Sequence, residues 1–195
     1  MNGANLPLAQ QIALLEKIVK ENTLLFPLLQ KLAQLELPNY YVGGGSIVQT
    51  VWNHLYNKPL HYGIKDIDIV YFDEDLREEK EKAVMAMLRK TIGDFPVKID
   101  IANEARVHLW YEKAFGYPIA PYESVEQAIS TWPTTATSVG IRLEKGQFVI
   151  FAPFGLNDLF SGTIRPNKTL ISEAIYQKKA EAWHQKWPET MVQKW

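Results

Sequence analysis

The chain contains no cysteine, so neither a disulfide framework nor a thiolate metal site is open to it. It has no apolar run of the roughly 20 residues needed to cross a bilayer, and no membrane partner is expected. The opening residues, Met1 to Pro7, lack the basic start and apolar stretch of a secretory signal, so the expected location is cytoplasmic. Neither sign of charge prevails: 21 Lys and Arg stand against 22 Asp and Glu, a formal net charge of −1. No strong binding to nucleic acid is expected on that balance. The four histidines, at positions 54, 61, 108 and 184, show no metal-ligand spacing, which argues against a zinc site. Internal repeats, low-complexity tracts and long linkers are also missing.

What the chain does have is enough apolar material for one well-formed core, with 47% hydrophobic residues in 195. A single domain over 1–195 is expected, with N-terminal helices in 1–37, a core in 38–155 and C-terminal helices in 156–195. Leucines and isoleucines from Ile12 to Leu35 recur at helical spacing, and Pro27 suggests two helices or a kink before Pro38 stops the run. Tyr40–Val42, residues 66–72 and residues 97–101 read as strands. Asp75 and Glu78 have capping-box spacing at the head of a helix that Gly93 ends. Asn103 is a plausible cap for a helix running to Phe115. A short helix is expected over Tyr122–Ser130. Thr134–Leu143 and Gln147–Ala152 suggest a hairpin, Asn157 and Asp158 a cap for a brief helix, and Lys168–Lys186 a longer helix. The fold class is α+β, with a mixed sheet rather than a purely parallel one, because the hairpin must join or flank it.

Three aspartates carry the chemistry. In Gly63–Phe72, Asp66 and Asp68 are two apart on a strand, so they share one face while Ile67 and Ile69 share the other. Asp100 sits between Ile99 and Ile101 in the same manner. If the two strands are neighbours, the three carboxylates converge, and their mutual repulsion calls for a bound cation. An all-oxygen site suits Mg²⁺ or Mn²⁺, with phosphates as further ligands. The alternative is a plain hydrophilic strand face. Upstream, Tyr40–Asn53 runs from a short strand through Gly43, Gly44, Gly45 and Ser46 into a helical stretch. Glycines let a ligand approach the backbone, and Ser46 with the first helical amides offers donors to phosphate. The pattern lacks the last glycine of the dinucleotide fingerprint and the Gly-Lys-Ser/Thr ending of a P-loop. Such a run can also be an ordinary turn.

Strand, Gly-Gly-Gly-Ser, helix, Asp-x-Asp on a strand and a single Asp on a later strand resemble the polymerase-β nucleotidyltransferase superfamily. The likeness covers roughly residues 38–102. More narrowly, the stretches Gln49–Asn53, Ile64–Asp73, Ile99–Tyr111 and Pro153–Phe160 resemble a bacterial nucleotidyltransferase-like family of unassigned substrate. The gap from Ser46 to Asp66 is longer than in many superfamily members, and Asn57–Gly63 takes up the extra length as a turn-rich loop.

The resemblance implies a two-metal transfer of a nucleoside monophosphate from a nucleoside triphosphate (NTP) to an acceptor, releasing pyrophosphate. It implies that Asp66 and Asp68 bind both metals, that Asp100 completes the one nearest the acceptor, and that Gly44, Gly45 and Ser46 hold the triphosphate. The acceptor is left open among a small molecule, a protein and an RNA end. A catalytically weak nucleotide-binding regulatory or interaction module on the same fold is the alternative. Lys98 shares the face of Asp100, where it either contacts phosphate or balances charge. Arg106 and His108 follow closely and read as substrate contacts or solvated surface. The last 31 residues carry 6 Lys and Arg against 3 Asp and Glu, with Trp183, Trp187 and Trp195. They read as a basic helix face with tryptophans packed on the core, or as a surface for a phosphate backbone or base.

Overall fold

The computed structural model describes residues 3–35, 37 and 39–195. Pro38, the expected helix stop, lies outside them, as do Met1, Asn2 and Glu36. Two helices, α1 (Leu8–Glu21) and α2 (Leu25–Leu32), open the chain. The break falls at Asn22 rather than at Pro27. The Asn22 carboxamide oxygen accepts the amides of Leu24 and Leu25, and its nitrogen donates to Thr50 Oγ1 and the Leu60 carbonyl. Pro27 sits in the first turn of α2, where its missing N–H costs no helical hydrogen bond.

Strand β1 (Tyr41–Gly43) leads through the glycines into α3 (Gly45–Leu55), which is buried from Ser46 to Asn53. Strand β2 (Asp66–Tyr71), helix α4 (Glu78–Ile92) and strand β3 (Lys98–Asn103) follow. The expected capping box of Asp75 and Glu78 does not form. Asp75 spends its carboxylate on the backbone amide and guanidinium of Arg77, itself the N-cap residue. Gly93 does end α4, at φ 69°. A 3₁₀ turn (Glu104–Arg106) joins β3 to α5 (His108–Phe115), and Asn103 caps the turn by accepting the Ala105 amide.

Helix α6 (Val125–Ile129) is capped by Ser124. The hairpin β4 (Gly140–Glu144) and β5 (Gln147–Phe151) begins later than expected. Thr134 to Val139 is a tight turn instead, in which the Thr134 and Thr137 hydroxyls bond to each other and Ser138 Oγ donates to the Thr134 carbonyl. Helix α7 (Asn157–Ser161) has no side-chain cap. Asn157 accepts from the Asn5 amide instead, and Asp158 pairs with Thr135 and Arg165. Helix α8 (Glu173–Lys186) follows its Ser172 cap, which lies four residues after Lys168. Short strands β6 (Thr163–Ile164) and β7 (Met191–Val192) pair in parallel.

The main sheet has the order β3-β2-β1-β4-β5 and is mixed: β2 and β3 are parallel, and the other pairs are antiparallel. Val42, Ile67, Ile69 and Ile141 join the main core with α1, α2 and α3. Trp52 of α3 is fully buried, and Trp183 and Trp187 meet it edge-on at 6.1 and 5.8 Å. Such ring pairs add about 0.5–1.5 kcal/mol each beyond area burial, fastening the C-terminal segment to α3. The Asn57–Gly63 loop folds back onto the same region. Asn53 donates to the Leu60 and Tyr62 carbonyls, and Gly63, at φ 75°, lies against the Trp187 ring.

Candidate active site

The opposite face of the sheet is not apolar throughout. Period-two alternation puts Asp66, Asp68 and Val70 of β2 on it. The parallel register sets Asp68 beside Asp100 and Asp66 beside Lys98. On the other side of β2, Gly43 is the antiparallel partner of Asp68. The end of β1 thus delivers the N-terminus of α3 to the row of carboxylates. Toward the other end of this face, Tyr41 and Val70 pack with Val125 and Ile129 of α6, which leaves the aspartate end uncovered by that cluster.

The three glycines have separate reasons to be glycine. A Cβ on Gly43 would lie 2.5 Å from the Trp132 indole. Gly44 adopts φ 66°, and a Cβ there would lie 3.5 Å from Asp68 Oδ2. Gly45 opens α3. The helical ladder begins with the Val48 amide donating to the Gly44 carbonyl, so the amides of Gly45, Ser46 and Ile47 precede it. Ser46 is buried, and its hydroxyl donates to the Gly43 carbonyl at 3.3 Å. That hydroxyl braces the turn, which leaves the backbone amides as the donors suited to a phosphate.

Charge is under tension here. Asp68 is pushed up to about 6, first by burial and then by Asp66 and Asp100, against the opposing pull of Lys179 and Lys98. Lys98 Nζ donates to Asp100 at 2.9 Å to one oxygen and lies 2.7 Å from the other. Among the described residues, no three His, Asp or Glu side chains are drawn close enough to enclose a metal ion. The convergence expected from the sequence is therefore one of backbone register, while the Asp100 carboxylate itself is turned to Lys98. Both partners of that pair are solvent-exposed, and such pairs hold weakly. The donor set is all oxygen, carries excess negative charge and stands beside amides that have no hydrogen-bond partner among the described residues. These residues fit a hard divalent cation with a phosphate beside it.

Beside the carboxylates lies a cavity of about 320 Å³ that Gly44, Gly45 and Asp68 share with the rings of Trp110, Tyr122 and Trp132. Helix α8 adds Ile175, Lys179 and Trp183 at i, i+4 spacing, one stripe of the helix. Glu104 also lines it, at 6% exposure. Burial, then the charge of Asp68, raises its carboxyl to about 8. Trp132, Glu104 and Lys179 were not among the expected site residues. For Glu104 a signal existed, because Asp100, Ala102 and Glu104 continue one alternating face past the expected end of the strand. Trp132 and Lys179 had none, being brought in from distant segments.

Other expected contacts are engaged elsewhere. Arg106 donates through Nε to Glu81 at 2.8 Å and through Nη1 to the Leu76 carbonyl, on the α4 side. His108 begins α5, and its Nδ1 is buried with no hydrogen-bond partner among the described residues. Trp187 is core, whereas Trp183 both packs on Trp52 and borders the cavity.

Residues 30–192 match a family model described as nucleotidyltransferase. An NMR structure described as revealing a CCA-adding enzyme head domain superposes with a TM-score of 0.73 at 25% identity, covering 92% of this chain and 96% of that one. A tRNA-processing enzyme in an apo form gives a TM-score of 0.44 at 17% identity, covering 79% of this chain and 41% of that one, too little to bear on the comparison. No curated protein matches by sequence.

Proposed function

Because the chain belongs to this nucleotidyltransferase family, we propose that it moves a nucleoside monophosphate from an NTP to an acceptor group, with release of pyrophosphate and dependence on Mg²⁺ or Mn²⁺. The observation that carries the reading is the register that puts Gly43, Asp68 and Asp100 side by side on three adjacent strands. It joins a phosphate-binding helix start to a cluster of carboxylates within one strand spacing on either side.

Asp66, Asp68 and Asp100 would hold the divalent ions. When bound, these ions neutralise charge on the attacking and leaving oxygens. The amides of Gly45, Ser46 and Ile47 hold the phosphates at the positive end of α3. Glycine at 43 and 44 keeps that approach free of side chains. Lys179 faces the same group of carboxylates from α8 and suits the triphosphate charge. The acceptor oxygen attacks the α-phosphorus, the bond to the bridging oxygen breaks, and pyrophosphate departs. Asp100, at the edge away from Gly43, would take the proton the acceptor gives up. Before the ion binds, Asp100 must leave Lys98, and the exposure of that pair makes the exchange easy.

The acceptor is a small molecule, a protein or an RNA end. The likeness to a CCA-adding enzyme head domain makes an RNA end the first to try. The test is pyrophosphate release with each NTP, Mg²⁺ and candidate acceptors. Asp68→Asn is expected to lower the rate at least about 100-fold. A second reading, nucleotide binding without turnover, is favoured by the Lys98–Asp100 pair alone. It would be upheld if the chain bound NTP with Mg²⁺ and no acceptor gave pyrophosphate, even with Lys98→Met.

A further inference from the structure

We propose that Asn167, which lies outside the cavity lining, is a positioning residue for the phosphate-binding turn. It holds the Trp132 loop in the place from which that loop fixes Gly43 and Gly44. The proposal rests on the transferase reading and deepens it.

One segment grips the turn at two points. Gly44 spends its own amide on the Val139 carbonyl at 3.0 Å. The six-membered ring of Trp132 fills the space that a Cβ on Gly43 would need, and it passes 3.4 Å from the Cβ position of Gly44. Both contacts come from residues 132–139, so the placement of that segment sets how the first amides of α3 face the carboxylates. The margin is narrow, because the same Gly44 Cβ position lies 3.5 Å from Asp68 Oδ2. A shift of the turn changes its distance to Asp68 directly.

Asn167 anchors that segment, and it is 5% exposed. Its Nδ2 donates to the Ser130 carbonyl at 2.7 Å and to the Trp132 carbonyl at 2.9 Å. Its backbone amide donates to the Pro133 carbonyl at 3.1 Å. Its Oδ1 accepts from the amide and the hydroxyl of Thr169, so all four hydrogen-bonding places of the carboxamide are used and its orientation is set. The two carbonyls stand 37 and 35 residues back along the chain. The side chain therefore joins two segments rather than closing a local turn. Apart from Asn167, the Trp132 carbonyl accepts only the Ser138 hydroxyl, at 3.4 Å. Removing the carboxamide frees the loop that carries the Trp132 ring. Precision is what such a site needs, since a displacement of about 1 Å caused far from the reacting atoms can cost about 100-fold.

Calorimetric titration of the full chain tests this, with Mg²⁺ and inorganic tripolyphosphate, with Mg²⁺ and each NTP, and with Mn²⁺ alone. Asn167→Ala is expected to weaken tripolyphosphate and NTP at least about tenfold. Mn²⁺ binding is expected to stay unchanged, because the carboxylates stand on β2 and β3. Thr190→Ala removes another buried side-chain hydrogen bond, to the Trp187 carbonyl at 2.7 Å, and is expected to change neither. If Asn167→Ala does not melt cooperatively, Trp132→Phe carries the test. Trp132 is half-buried, and the smaller ring falls short of the glycines. The same loss is expected on tripolyphosphate, which has no base for the ring to meet. Parent-like affinity for tripolyphosphate and NTP in the folded variant, or a matching loss of Mn²⁺ binding, would overturn the proposal and leave the transferase reading intact. A parent chain that binds no NTP would overturn both.

Discussion

Asp68 is the residue on which stability and the proposed chemistry pull in opposite directions. Its carboxyl holds a proton up to about pH 6 in the fold but only to near its ordinary 3.8 in the unfolded chain. Between those values the folded chain binds more protons, so stability falls as pH rises through the window, and the loss is complete above about 6. Discounted for the solvent that reaches this side chain, the effect is roughly 1 kcal/mol, or about 2–4 °C in Tm for a chain of this size. Asp68→Asn is therefore expected to raise Tm by that amount at pH 7.5 without divalent ions, to leave it nearly unchanged at pH 4, and to abolish transfer. Thermal melts of both proteins across pH 4–8 check the sign. A variant less stable than the parent at pH 7.5 would mean that the carboxylate is held by partners rather than strained by its neighbours.

Among the elements, the turn between β3 and α5 does most to shape the site. Asn103 is buried at its centre. Its Oδ1 accepts the amides of Asp73 and Ala105, and its Nδ2 donates to the Asp73 carbonyl. It ties the end of β3 to the loop after β2 and so sets where Glu104 stands. Asn103→Ala strips three hydrogen bonds, one buried and two part-buried, and is expected to cost roughly 2–3 kcal/mol in urea unfolding, with an unchanged m-value. This cap was legible in the sequence, as were both aspartate strands, the α3 start and the mixed sheet. Each is local: alternation, a glycine run or a cap speaks within a few residues. The capping box at Asp75 and the early strand at Thr134 misled because side chains there bond their own loops in preference to the ladder or helix they suggested. The aromatic cavity was illegible for the opposite reason, since Trp110, Trp132 and Trp183 meet only through packing of three distant segments.

Across the whole molecule, one sheet face is given to the main core, and the other is divided between a small apolar cluster under α6 and the aspartate end. Helices α1, α2 and α3 bury the isoleucine face of β2, which fixes its register, because a one-residue slip would exchange Ile67 and Ile69 for Asp66 and Asp68 in the core. The C-terminal segment, stapled to Trp52, brings Lys179 across the same site. The near-neutral net charge thus conceals a concentrated local one: a row of three carboxylates, of which Asp100 is paired with Lys98, beside the positive start of α3. On the proposed reading, a metal–triphosphate complex would supply a partner for both. The most direct measurement is calorimetric binding of NTPs with and without Mg²⁺ to the parent chain and to Asp66→Asn/Asp68→Asn. The expected result is binding that requires Mg²⁺ and is lost in a variant that still melts cooperatively. Binding that ignores both the metal and the substitutions, or no binding by a well-folded parent, would contradict the placement of the site.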